Sequence, residues 1–84
     1  MDHVITFHST HHAIKAEKRL KTGNFKIELI PTPREISSEC GFTILIKNSE
    51  SQSLAIFLEE DNLLFDQIYK INENHGEKRY EEID

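Results

Sequence analysis

Phe25-Lys26-Ile27-Glu28-Leu29 alternates apolar and charged side chains without a break. That period of two marks a strand with one dry face and one wet face. A chain carrying such a strand must build a sheet and cover one side of it. Val4-Ile5-Thr6-Phe7 and Phe42-Thr43-Ile44-Leu45-Ile46 supply two more β-prone runs flanked by polar residues. Between the first two strands, Ala13, Ile14, Ala16 and Leu20 recur at helical spacing. Ser9 or Thr10 is placed to cap that helix, Lys18, Arg19 and Lys21 suit its carboxyl end, and Gly23 suits its stop. Ser49-Glu50-Ser51-Gln52 fits a capping box ahead of a second helix through Leu54, Ala55, Phe57 and Leu58. Residues 63–71 read two ways. A continued helix would share one face among Leu64, Phe65, Ile68 and Ile71. A turn at Asp61-Asn62 would instead lead into a fourth strand through Phe65, Tyr69 and Ile71. The strand covers the open sheet better, and it does not trap Asn62 inside a helix.

The resulting order, β-α-β-β-α-β, predicts an α+β fold. With right-handed crossovers it becomes a ferredoxin-like sandwich: a four-stranded antiparallel sheet with two helices on one face. Residues 1–72 make this single domain, and the almost wholly polar residues 73–84 are expected to be an acidic, mobile tail. Charge is split along the chain. Residues 1–47 hold seven Lys/Arg against five Asp/Glu, whereas 48–84 hold three against ten. That balance argues against a nucleic-acid binder, which would carry a basic excess or stripe. The cluster Lys15, Lys18, Arg19 and Lys21 reads as a solvated helix face. No apolar run approaches the roughly 20 residues that cross a bilayer, and Met1-Asp2-His3 lacks the opening of a secretory signal. With one cysteine there is no intramolecular disulfide and no four-cysteine zinc site. The expected setting is reduced and cytoplasmic.

In the expected topology, strands one and two run parallel and strand three lies beside strand one. The loop carrying Cys40, just before strand three, then falls near His8-Ser9-Thr10-His11-His12 and the amino end of the first helix. A thiol becomes a nucleophile by losing its proton, and a helix amino terminus, a histidine or an arginine promotes that loss. His8, His11, His12 and Arg34 are candidates for this role. Ser37, Ser38, Glu39 and Gly41 around Cys40 resemble an exposed turn; the competing reading is a small core cysteine ahead of a strand. A metal reading also stands, with His8, His12 and Cys40 as ligands for zinc or nickel. A Cys-His hydrolase would need a cleft, an oriented third residue and an oxyanion hole. A chain of 84 residues leaves little room for a cleft, so a carrier or binding module is favoured over an enzyme. His3 and His75 look incidental.

Phe7-His8-Ser9-Thr10-His11-His12-Ala13-Ile14-Lys15-Ala16-Glu17-Lys18 and Leu29-Ile30-Pro31-Thr32-Pro33-Arg34-Glu35-Ile36-Ser37-Ser38-Glu39-Cys40-Gly41 are two distinctive stretches. Together they resemble a family of small bacterial Se/S carrier-like proteins. The resemblance implies that Cys40 carries sulfur or selenium as a persulfide or perselenide. The atom would come from a donor such as a cysteine desulfurase and pass to an acceptor protein, with no cofactor. His8, His11, His12 and Arg34 fall within the matched motifs, as do Ser37 and Ser38, which would shape the loop. A metal-delivery module using His8, His12 and Cys40 is the alternative, and the bare sheet face leaves a homodimer open.

Overall fold

The computed structural model describes residues 1–37 and 41–83. Its elements are β1 (His3–Thr6), α1 (Thr10–Thr22), β2 (Lys26–Pro31), β3 (Phe42–Lys47), α2 (Ser51–Glu60), β4 (Gln67–Asn74) and β5 (Glu77–Glu82). The strands form one antiparallel sheet in the order β2-β3-β1-β4-β5. β1 lies between β3 and β4, so Ile5 pairs with Ile44 on one side and Ile68 on the other.

These pairings put Ile5, Ile44, Ile46 and Ile68 on one sheet face. They cluster with Ala16 and Leu20 of α1, Leu54 and Leu58 of α2, and Leu63. Each large side chain removed from water contributes roughly 1.5–3 kcal/mol, and this shared core holds both helices to the sheet. The alternation read at Phe25–Leu29 is real: Ile27 and Leu29 are half-buried against the core, while Lys26 and Glu28 are exposed.

Ser9 is the cap of α1, accepting a hydrogen bond from the His12 N–H at 3.2 Å. Ala13, Ala16 and Leu20 face inward as expected, but Ile14 is exposed. Gly23 does end the helix, with φ at −87°. A glycine is not required there for a left-handed backbone. It is required for space, because a Cβ would lie 2.5 Å from the Phe57 ring.

Three expectations need correction. The sheet has five strands rather than four. Glu77–Glu82, placed in an acidic tail from the sequence, pairs with β4 through a two-residue turn, His75-Gly76, in which both residues have positive φ. Ile83 then packs against the core and donates its N–H to the Ile68 carbonyl. The capping box at Ser49 does not form. Glu50 occupies the cap position without a side-chain bond, because the Ser49 hydroxyl is bonded to His3 instead. Finally, α2 ends at Glu60 and Asn62 turns the chain, but β4 begins at Gln67 and leaves Phe65 outside it.

Candidate functional site

A cleft of about 400 Å³ opens where β1 runs into α1. One wall is Phe7, His8, Ser9 and Thr10; the other is Thr32, Ile36, Ser37, Gly41 and Phe42; Asp66 and Tyr69 close the side. The topology explains the meeting. β1 and β2 both end at this edge of the sheet, β3 and β4 begin there, and α1 starts there. The volume exceeds what the length of the chain suggested.

The loop wall is built from the backbone. Pro33 O accepts from both Ile36 N–H (3.0 Å) and Ser37 N–H (3.1 Å), which makes a tight turn. Thr32 N–H donates to Gly41 O at 3.0 Å, and the Thr32 and Thr43 hydroxyls are 2.9 Å apart. These two contacts tie the start of the loop to its end. On the helix wall, His8 Nε2 lies 3.2 Å from Asp66 Oδ1. Asp66 is itself anchored, with its N–H donating to Thr6 O at 2.7 Å and its Oδ2 accepting from Thr6 Oγ1 at 3.4 Å. Tyr69 titrates above its ordinary value, first through burial and then through the carboxylates of Glu82 and Asp66. It therefore stays a neutral hydroxyl beside the cleft.

The candidate residues named from the sequence fall into three groups. His8 and Ser37 line the cleft. His11 and His12 do not; they line a separate hollow with Lys15, Leu63 and Leu64, with their rings 6.1 Å apart. Arg34 is exposed on the Pro33–Ser37 turn. Ser38 and Cys40 lie outside the described residues. So does any metal set containing Cys40, and among the described residues no three His, Cys, Asp or Glu side chains converge. Nor, among those residues, is any helix long and apolar enough to cross a membrane.

Asp66 was missed by sequence reasoning. Its signal was available: antiparallel pairing of β1 and β4 sets Gln67, which opens β4, opposite Thr6, which closes β1, and so brings the residue just before β4 to the end of β1. Starting that strand two residues early, at Phe65, hid it. Tyr69 was seen only as a strand residue. Thr32 was seen only within a motif.

The family model described as "Putative Se/S carrier protein-like" matches residues 2–70. The chain belongs to this family. The matched span takes in both walls of the cleft, Asp66 and Tyr69, and ends within β4. No curated protein and no solved structure matches the chain. Every residue that lines the cleft of this carrier-like protein thus falls within the matched span, whereas β5 lies beyond it.

Proposed function

We propose that the protein is a sulfur or selenium carrier whose cargo rides on Cys40. The observation that carries this reading is the cleft: Ser37 and Gly41, the described residues bracketing the Cys40 segment, line it opposite the capped start of α1 and His8. Cys40 is bonded directly to Gly41. A helix amino terminus favours an anion through its free N–H groups and its dipole. Thiolate formation and persulfide binding both place negative charge at such a site.

In the transfer, the Cys40 thiolate attacks the outer sulfur of a donor persulfide. A new S–S bond forms on Cys40, the donor's S–S bond breaks, and the donor leaves as a thiolate. No net oxidation occurs. An acceptor nucleophile repeats the exchange and releases Cys40. A cysteine desulfurase is the natural donor class, and a reduced cytoplasm would keep the thiol free. Arg34, exposed on the turn, offers donors to an anionic group of the partner; Ser37 and Ser38 shape the loop. We read β1 to β4 with the two helices as a ferredoxin-like unit whose sheet β5 extends.

Intact-mass measurement after incubation with a cysteine desulfurase and cysteine tests this. The chain gains one sulfur atom, and Cys40→Ser gains none. Absence of that gain, together with alkylation of Cys40 at the rate of free cysteine near neutral pH, defeats the proposal. Zinc titration by calorimetry decides the metal reading, since tight binding lost in Cys40→Ser would favour it instead.

A further inference from the structure

The segment between α2 and β4 makes the other unexplained surface. Leu63 is buried, but Leu64 is 65% exposed and Phe65 37% exposed, although this segment is pinned at both ends. Leu63 N–H bonds Leu58 O at 3.1 Å, and Asp66 N–H bonds Thr6 O at 2.7 Å. Held out on an anchored loop, Leu64 keeps most of its apolar area available for burial against a partner.

Its surroundings are asymmetric in charge. On the α1 side, Leu64 borders a hollow shared with His11, His12 and Lys15. On the α2 side it borders a shallow groove with Ala55, Leu58 and Glu59. Further along α1, Arg19 is neutralised by Asp61 at 2.6 Å, and Lys21 lies 4.0 Å from Glu17. Among the described residues neither Lys15 nor Lys18 has such a partner, and both are exposed.

The surface is also continuous with the cleft along the chain, twice over. Thr10 lines the cleft and the next two residues line the hollow; Asp66 lines the cleft and Leu64, two residues earlier, lines the hollow. We infer that Leu64, flanked on its α1 side by His11, His12 and Lys15, is the apolar anchor for a protein partner that presents a leucine-bearing helix face bordered by carboxylates. This rests on the carrier reading, because it identifies where the donor or acceptor protein seats itself while its sulfur reaches the cleft. In such contacts the apolar anchor gives affinity and the complementary charge beside it, here on the α1 side, gives orientation and on-rate. Nucleic acid would also meet the lysines, but it offers no aliphatic face for Leu64.

The test uses the full chain, labelled with ¹⁵N, and three synthetic helical peptides: leucines bordered by glutamates, the same leucines bordered by lysines, and a scrambled acidic control. The glutamate-bordered peptide is expected to shift amides confined to residues 10–15 and 63–66. Its affinity should fall about tenfold in Leu64→Ser and about threefold in Lys15→Glu, the latter difference vanishing at high salt. Equal binding of the lysine-bordered or scrambled peptide overturns the inference. So do shifts confined to the open sheet face, or a single-stranded oligonucleotide that displaces the peptide. Both variants are exposed substitutions whose melting midpoints verify folding. Peptide binding involves no thiol, so it is read separately from sulfur uptake: failed loading of Cys40 defeats the carrier reading, and failed peptide binding defeats the docking surface.

Discussion

His3 sits fully buried in β1, with Nδ1 3.0 Å from the Ser49 hydroxyl and Nε2 2.7 Å from that of Ser51. Burial, helped by the amino-terminal ammonium and Lys70, holds its pKa below the usual 6.5. The unfolded chain therefore binds a proton more readily than the folded one. The stabilisation is complete above about pH 6.5 and is lost as pH falls towards the lower folded value. Urea midpoints compared at about pH 7.5 and pH 5.5 should fall more in the wild type than in His3→Asn, which cannot titrate there. Nothing near position 3 announces this role, since its partners are 46 and 48 residues away. Ser49 was legible as a local cap, worth about 1 kcal/mol, yet a buried ring needing a partner outbids a cap that water can replace. Asp66 behaves differently. It is half exposed, and its pair with His8 is exposed too, so Asp66→Ala should change stability by no more than about 1 kcal/mol. Sulfur uptake by Cys40 should nevertheless slow several-fold in that variant, measured as the initial rate of mass gain.

At the level of elements, the boundary between α1 and β2 shows how a correct expectation can have the wrong cause. Gly23 suits a helix stop, yet its φ is ordinary, and it is Asn24 that takes a positive value, 65°. What Gly23 permits is the approach of Phe57, which meets Phe25 edge-on at 5.2 Å. Gly23→Ala should therefore displace the Phe57 ring and cost about 1–3 kcal/mol; a Gly23→Ala/Phe57→Leu double variant should recover part of it, read from denaturant midpoints. The start of α1 and the strand faces were legible because they follow from local spacing. Ser9, Ala16, Leu20 and the alternation at Ile27 and Leu29 all fall where the pattern places them. β5 was not legible. Its residues Glu77-Lys78-Arg79-Tyr80-Glu81-Glu82 show almost no apolar alternation, and what holds them is hairpin pairing with β4 across the His75-Gly76 turn together with the Ile83 contact, neither of which apolar spacing announces.

For the whole molecule, the closing of the carboxyl-terminal hairpin is a separable contribution. Ile83 packs on the core, its carbonyl accepts from Gln67 Nε2 at 3.1 Å, and β5 covers one edge of β4. A chain ending at Asn74 should keep its helical circular dichroism but lose about 2–4 kcal/mol and melt lower. Loss of all secondary structure would show that β5 is indispensable. The site was legible as a place because the topology brings β1's end and β3's start together; its membership was not, since His11 and His12 turn to a different hollow and Asp66 comes from a third segment. β1 at the centre of the sheet has one more consequence. His3 must find Ile46, and Ile5 must find Ile68, so the innermost strand waits for partners made some 40 to 60 residues later. Helix α1 needs only its own residues, but that span cannot close until its far end has been made, and synthesis adds only about 5–20 residues per second. The cleft is therefore among the last things to come into being as the chain leaves the ribosome, and its thiol segment spends that interval without the opposing wall.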